Sequence, residues 1–238
     1  MTRDRVLAWD GCVNVRDLGG LPLDGGGETR FDVFVRADSI RRLTERGWQT
    51  LVDYGVASAI DLRAPDELAA DPPGEAPIAV VHAQLAPSDL DWSSMRDGYL
   101  GVLERSRLQF GQVFRLLGQM RAPAVLHCQG GRDRTGLVVA LLLADAGVDP
   151  ETIAADHAIS EQSWAPYLAA FYAAAYTDQE LERRRRVTAP AGRSVIEVLE
   201  EVDRRYGGPR GYLCGAGVRE DVLDTIMLRL RGDSADGQ

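Results

Sequence analysis

Residues 124–136 read AVLHCQGGRDRTG, where an apolar run leads directly into a cysteine and a glycine-containing turn. The apolar run predicts a short buried strand over Ala122–His127. The next segment, from Arg134 to Ala146, is mostly apolar and is followed by Gly147, which predicts a largely buried helix. The sequence therefore predicts a strand, a tight loop and a helix, with Cys128 at the start of the loop.

Such a loop has the properties that cleavage of a phosphate ester by cysteine requires. Gly130 and Gly131 allow the backbone to turn so that successive N–H groups point inward around an anion. The helix that begins at Arg134 carries partial positive charge at its N-terminus, which favours a thiolate and a phosphate alike. This matters because a free cysteine, with a pKa of ~8.5, is mostly protonated at neutral pH.

The spacing within the loop suggests a role for each residue type. Five residues separate Cys128 from Arg134, so the guanidinium can fold back and grip two phosphate oxygens. We expect Cys128 to be the nucleophile and Arg134 the phosphate-binding cation. The remaining phosphate-binding residues are predicted to be Gln129, Gly130, Gly131, Arg132 and Thr135. The Thr135 hydroxyl lies at the loop–helix junction, where it can stabilise the thiolate.

Two other functions share a loop cysteine or a phosphate-binding loop. Sulfurtransferases also use a loop cysteine, but the run from Asp133 to Gly136 favours phosphate over sulfane sulfur. A phosphate-binding module without turnover would lack the cysteine or the arginine, and both are present here.

The loop resembles the cysteine-phosphatase signature His-Cys-x5-Arg-[Ser/Thr]. More narrowly, it is similar to the bacterial tyrosine-phosphatase-like family that includes secreted mycobacterial and listerial phosphatases, whose loop reads H-C-x-A-G-K-D-R-T-G. Further stretches resemble motifs of that family: Asn14–Gly20, Val35–Asp38, Ile60–Arg63 and Tyr206–Val218. The resemblance covers about residues 10–230. It implies a phosphatase that acts through a phosphocysteine intermediate, without a metal or cofactor.

Two positions depart from the family pattern. Gly130 stands where alanine is usual, and Arg132 stands where lysine is usual. The family's lysine is associated with activity on phosphoproteins and phosphoinositides, and arginine keeps its charge but changes its shape and hydrogen-bonding geometry. The resemblance therefore favours a phosphotyrosine or phosphoserine protein as substrate, and leaves phosphoinositides or small phosphate esters as alternatives.

The sequence leaves two possible positions for the general acid that protonates the leaving group. Many cysteine phosphatases use an aspartate on a separate mobile loop, and Asp89, Asp91 and Asp97 lie in the corresponding range. The resembling family instead implicates the aspartate within the loop, which here is Asp133. We favour Asp133, with Asp91 as the alternative.

Several further residues are candidates for supporting the loop. His127 is expected to order the loop through hydrogen bonds. Arg36 and Arg63 end predicted strands at the edge where α/β sites are assembled, so a supporting role and a structural ion pair are both open. The family resemblance implies that three residues of the N-terminal motif brace the loop: Asn14, Arg16 and Asp17.

Elsewhere the pattern alternates between strands and helices up to Asp149 and is helical afterwards. A turn at Asp24–Gly27 predicts a hairpin between residues 18–23 and 29–35. The other predicted elements are a helix from Glu45 capped by Thr44, strands at Val56–Leu62 and Ile78–Leu85, and a helix over Tyr99–Met120. This order predicts an α/β fold with a central, mostly parallel sheet flanked by helices and a helical C-terminal part. We expect one phosphatase domain over residues 1–238, with 155–190 as a candidate helical lid or insertion.

The amino-acid composition limits the cellular compartments and the kinds of partner that we expect for this protein. The formal net charge of −9 argues against nucleic acid as a partner. All 27 basic residues are arginine, which rules out Schiff-base chemistry at lysine. The cysteines Cys12, Cys128 and Cys214 form no disulfide framework, although Cys12 is a candidate for a redox pair with Cys128. The longest apolar run, Leu137–Ala144, is too short to span a bilayer, so we expect no stable membrane insertion. These features favour a cytoplasmic protein, with non-classical secretion and the oligomeric state left open.

Overall fold

A five-stranded sheet lies at the centre of the computed structural model, which describes residues 3–72, 74–85 and 92–231. The strands are β1 (Arg16–Asp17), β2 (Phe34–Ala37), β3 (Ser58–Asp61), β4 (Ala79–His82) and β5 (Ala124–His127). They are arranged in the order β1-β2-β5-β3-β4. The short β1 pairs antiparallel with β2, and the other pairings are parallel. The predicted α/β fold with a mostly parallel sheet is confirmed.

The helices cover both faces of this sheet. They are α1 (Glu45–Asp53), α2 (Pro65–Ala70), α3 (Met95–Arg105), α4 (Arg107–Gln119), α5 (Asp133–Asp145), α6 (Pro150–Ala173), α7 (Asp178–Val187), α8 (Gly192–Tyr206), α9 (Pro209–Gly215) and α10 (Glu220–Arg231). The predicted capping of α1 is present, because the Thr44 hydroxyl accepts a hydrogen bond from Gly47 N at 3.2 Å.

The alternation of side chains along the strands divides the core in two. In β5, Leu126 faces the larger cluster formed with helices α3–α5 and α8–α10, whereas Val125 faces a smaller cluster beside α1. Helix α5 is buried along most of its length, as its apolar sequence predicts. Because β5 is central and α5 is enclosed, the loop between them is held at both ends by the best-packed part of the molecule.

Two predicted elements differ from the structure. The predicted hairpin closes through backbone hydrogen bonds between residues 20–23 and 27–29 but has one bridge, Pro22 to Glu28, and no extended ladder, while β2 pairs with Arg16–Asp17. The three glycines at 25–27 all adopt positive φ and offer no side chains to pack across a ladder. The helix predicted over Tyr99–Met120 begins earlier and is broken at Ser106 into α3 and α4.

One buried carboxylate attaches α6 to the sheet. Asp156 accepts hydrogen bonds from Arg5 at 2.5 Å, from Arg16 in β1 at 2.9 Å and from Arg36 in β2 at 2.7 Å. Burial favours the neutral acid, but the charges of Arg16 and Arg36 outweigh it and hold the pKa of Asp156 far below its usual range. The helix is therefore tied to the sheet by charge as well as by packing.

We expect Asp156→Ala to lower the free energy of unfolding by about 3–5 kcal/mol, because it leaves buried guanidinium groups without their acceptor. The matched change at the exposed Asp203 should alter it by less than about 0.5 kcal/mol. Urea unfolding at pH 7 measures both. The pKa of Asp156 is lower in the folded state than in the unfolded state. Its contribution to stability is therefore complete above pH ~3.9, the pKa of an unfolded aspartate, and is lost as the pH falls below that value. The difference between wild type and Asp156→Ala should thus be constant from about pH 5 to 8. A loss below about 1 kcal/mol would contradict this role.

Candidate active site

The loop that starts at Cys128 lies at the carboxyl end of the central strand. In the sheet register, His127 is opposite Ala37 of β2 and Asp61 of β3, so all three parallel strands end at this edge. Cys128 is buried. Ligand sites of open α/β sheets form at this edge, because the following loops converge there.

Hydrogen bonds from outside hold the backbone carbonyls of the loop. The Gln129 carbonyl accepts from the Ser39 amide at 3.3 Å. The Gly130 carbonyl accepts from Asn14 Nδ2 at 2.9 Å and from Trp164 Nε1 at 2.7 Å. Asn14, predicted from the resemblance, therefore contacts the loop directly, whereas Trp164 of α6 was not foreseen.

The third carbonyl in the series is fixed by an arginine. Gly131 O accepts from Arg36 Nη2 at 2.8 Å. Gly131 has φ +66°, and a Cβ at this position would lie 2.5 Å from the Ala37 carbonyl oxygen. Only glycine suits this position, because the conformation and the close approach both exclude a side chain. With successive carbonyls fixed outward, the loop amides are left to face its interior, as in an anion-binding nest.

Arg134 is oriented by a carboxylate that the sequence analysis missed. Its Nη2 donates to Glu67 Oε1 at 2.7 Å, and its Nη1 donates to Glu67 Oε2. Glu67 lies in the first turn of α2 and also accepts from the Ala64 amide at 2.7 Å. Burial acts to raise the pKa of Glu67, but its bond to Arg134 lowers it on balance. The bidentate pair leaves three of the five guanidinium N–H groups of Arg134 for a ligand.

Asp133 opens α5 and is held as a carboxylate. Its Oδ1 accepts from the Tyr99 hydroxyl at 2.6 Å and from Arg132 Nε at 3.0 Å. Burial acts to raise the pKa of Asp133, but Arg132 and the Tyr99 hydrogen bond lower it overall. The carboxyl remains about 36% exposed, so one edge faces the adjoining cavity.

A neutral histidine lies behind this carboxylate. His157 Nε2 is 3.1 Å from the Tyr99 hydroxyl. Its ring packs against Gly136, where a Cβ would lie 2.6 Å from the imidazole. Burial lowers the pKa of His157 to about 3, so the ring is uncharged at pH 7. Tyr99 and His157 together fix the position of Asp133.

Arg132 links the loop to α7. Besides Asp133, its guanidinium donates to the carbonyl of Val187, the last residue of that helix. Arg132 was expected to bind phosphate, but its guanidinium is already bonded to groups of the protein. Its described contacts are to Asp133 and to the helix end, where a cation also complements the helix dipole.

Gln129 Oε1 makes no hydrogen bond within the described residues, and two further buried side chains of the motif share this property. The Thr135 hydroxyl is one, and it lies on the first turn of α5 beside the loop. The His127 ring is the other, and its Nε2 is 3.9 Å from Asp61 Oδ2. Burial lowers the pKa of His127 to about 4, so the ring is neutral at pH 7. The Cys128 backbone nevertheless lies close enough to the ring to favour its charged form, and the expected ordering of the loop by His127 stays a prediction.

Arg16 and Asp17 were also predicted to brace the loop, and they differ in whether their contacts extend to it. Arg16 donates to Asn14 Oδ1 at 2.7 Å and so acts on the loop through that amide. Asp17 instead accepts from the Gly19 amide and the Tyr54 hydroxyl, and it makes no described bond to the loop. Its direct bracing role is thus not seen, because its carboxylate organises the turn after β1.

Arg63 serves the neighbouring strand. It is fully buried and pairs with Asp61 at 2.9 Å and with Asp71 at 3.2 Å. Of the two readings left open, these contacts favour a structural ion pair at the end of β3. Arg36, by contrast, has both roles. It forms a structural ion pair with Asp156, and it supports the loop by donating to the Gly131 carbonyl.

Four other candidates from the sequence remain, three aspartates and one cysteine. Asp89 and Asp91 lie outside the described residues. Asp97 is exposed and accepts from the Ser94 hydroxyl at 2.7 Å, as expected of a residue at a helix start. The Cys12 thiol donates to the Ser39 carbonyl at 3.5 Å, and burial raises its pKa, which disfavours a reactive thiolate.

A cavity of about 610 Å³ opens above the loop. Its floor includes Gln129, Gly130, Asp133 and Arg134. Its walls are largely apolar and aromatic, formed by Leu85, Trp92, Val102, Trp164, Tyr167, Leu168, Phe171 and Val187. Most of these wall residues come from α6 and the end of α7, which lie over the loop.

Within residues 3–72, 74–85 and 92–231, no group of three or more His, Cys, Asp or Glu side chains is placed to hold a metal ion. No helix of the same ranges is long and apolar enough to cross a membrane.

Comparison with known proteins agrees with this geometry. The sequence model of the tyrosine phosphatase family matches residues 7–232. A tyrosine-protein phosphatase of Nostoc commune is 31% identical over 84% of this chain and 74% of its own length. The triple specificity protein phosphatase PtpB of Mycobacterium tuberculosis is 27% identical over 93% of this chain and 98% of its own length. The chain belongs to the tyrosine phosphatase family and is a phosphoric monoester hydrolase.

Proposed function

We propose that the protein hydrolyses phosphomonoesters through a phosphocysteine intermediate on Cys128. The observation that carries the proposal is the loop itself. Its carbonyls at 129–131 are bonded outward, while Arg134 lines the cavity above it. A phosphate in this loop meets amide donors, a guanidinium and the positive end of α5 together.

The reaction has two steps. The Cys128 thiolate attacks phosphorus in line, so that a P–S bond forms as the bond to the leaving oxygen breaks, and Asp133 gives that oxygen its proton. Water then attacks the phosphocysteine while Asp133 takes a proton from it. The P–S bond breaks, and inorganic phosphate and the thiolate are released. Thr135, whose buried hydroxyl has no described partner, is suited to donate to the thiolate in both steps.

The acid role of Asp133 requires a change on substrate binding. In the free site Arg132 and Tyr99 keep its pKa low, which favours the carboxylate. A bound phosphate dianion acts in the opposite direction and raises the carboxyl pKa, because like charges disfavour ionisation. Proton donation is therefore confined to the complex.

The cavity favours an aryl phosphate as substrate. Its aromatic and aliphatic walls bury an aromatic ring well, and a phosphotyrosine side chain places its ring between the loop and the cavity mouth. Phosphoserine proteins, phosphoinositides and small phosphate esters are the alternatives, and one relative is itself named a triple specificity phosphatase. Residues 155–190 would act as a lid, since α6 and α7 supply most of the walls.

We expect Cys128→Ser to abolish turnover and to leave the fold intact, because the change only replaces sulfur by oxygen and a serine has no base here to activate it. Release of phosphate from a small aryl phosphate measures the loss, and thermal unfolding serves as the control. Near-normal release by the variant would exclude the phosphocysteine route.

Arg134→Lys should reduce kcat/KM by about a hundredfold or more although the charge is kept. A lysine lacks the planar fork that pairs bidentately with Glu67 while directing further N–H groups to phosphate oxygens, and loss of one such transition-state contact costs about 3 kcal/mol. Steady-state kinetics on the same aryl phosphate test this. A variant within about threefold of wild type would rule out the role.

Asp133→Asn should slow a poor leaving group such as an alkyl phosphate far more than nitrophenolate, which departs unprotonated. It should also flatten the basic limb of the pH–rate profile, because that limb reports loss of the acid's proton. Asp91→Asn is the matched variant. If Asp91→Asn shows both effects and Asp133→Asn neither, the acid is Asp91.

A further inference from the structure

Three arginines line the cavity, and they differ in how many of their N–H groups are already bonded within the protein. Arg134 is paired with Glu67, and Arg132 is shared between Asp133 and a helix-end carbonyl. Arg42 has one described ion-pair partner, Asp38, at 3.6 Å. That separation is longer than a normal hydrogen bond. Arg42 is therefore the cation of the described lining that has most capacity left for a ligand.

Asp38 takes no N–H donor of Arg42 at hydrogen-bonding distance, because its carboxylate accepts hydrogen bonds from other groups. The Asp38 carboxylate is fully buried and accepts from the backbone amides of Val13 at 3.2 Å and Asn14 at 3.1 Å. The Arg42 side chain, by contrast, remains 38% exposed. An incoming anion can thus reach Arg42 without displacing Asp38.

The position of Arg42 relative to the phosphate loop is fixed by one aromatic ring. Its guanidinium carbon lies 5.0 Å from the ring centroid of Trp164. Trp164 in turn donates from Nε1 to the Gly130 carbonyl of the loop at 2.7 Å. Stacking orients the guanidinium without using its N–H donors, so Arg42 is held one indole ring away from the phosphate site with its donors available.

We propose that Arg42 binds a second anionic group of the substrate, an acidic side chain that flanks the phosphotyrosine of a peptide. This rests on the proposed function. A single available cation suits one carboxylate better than the several phosphates of a polyphosphorylated headgroup. The apolar walls suit the tyrosine ring, and a chain with a net charge of −9 is not drawn to an anionic membrane. The acidic group would lie at the cavity mouth, on the α6 side.

The test compares two phosphotyrosine peptides that differ only in flanking glutamate or glutamine. The enzymes are wild type, Arg42→Ala, Arg42→Gln and Arg46→Ala. Arg46 is a matched control, because it is an exposed arginine in the first turn of α1 and is not part of the cavity lining. At low ionic strength wild type and Arg46→Ala should prefer the acidic peptide by about three- to fivefold in kcat/KM. Both Arg42 variants should show a ratio near one, and salt should reduce the wild-type ratio.

The outcomes separate this proposal from the proposed function. Failure of wild type to hydrolyse a small aryl phosphate would count against the function itself. Hydrolysis with the same peptide ratio in wild type and both Arg42 variants would overturn only the role of Arg42. A peptide ratio unaffected by Arg42→Gln, together with a selective loss on a soluble short-chain phosphoinositide, would assign Arg42 to a lipid headgroup and overturn the peptide proposal. Thermal unfolding of each variant guards against a folding defect.

Discussion

The outward anchoring of the loop carbonyls is the constraint on which the site depends. A loop can present its amides to an anion only if its carbonyls are satisfied elsewhere, because unpaired buried carbonyls are costly. Here the acceptors at 129–131 are met by Asn14, by Arg36 and Ser39 at the end of β2, and by Trp164, which come from three separate parts of the chain. The positions of these loop carbonyls are thus set by contacts within the protein, which is the preorganisation that the proposed phosphate site requires.

Asp156 extends that constraint into the fold. It binds Arg36, which holds Gly131, and Arg16, which holds Asn14. One buried carboxylate on α6 therefore orients two groups that fix the loop. The same helix carries Trp164, so α6 contributes both to the wall of the cavity and to the contacts that hold the loop. Electrostatic order in the core and catalytic geometry are consequences of the same contacts.

The sequence predicted what local patterns encode, and missed what depends on distant contacts. The strand, loop and helix around Cys128 and the parallel sheet follow from periodicity, glycine placement and capping. Glu67 gave no signal, since a glutamate in a first helical turn is commonplace and its partner Arg134 is 67 residues away. Asp156 gave no signal of its own, and Trp164 was expected only within the candidate lid, not as a hydrogen-bond donor to the loop. Arg132 was expected to contact the phosphate, but its side chain also bonds to the carbonyl at the end of α7. No local sequence pattern indicates that long-range contact.

The central claim is that phosphate passes through the sulfur of Cys128. Rapid quenching of the enzyme with excess aryl phosphate, followed by mass analysis of the proteolytic peptide that contains Cys128, tests it most directly. The account predicts one phosphoryl group on that peptide during turnover, at a stoichiometry that rises within the first turnover and disappears when substrate is exhausted. Steady turnover with no phosphorylated Cys128 at any quench time, or with the label on another residue, would contradict it.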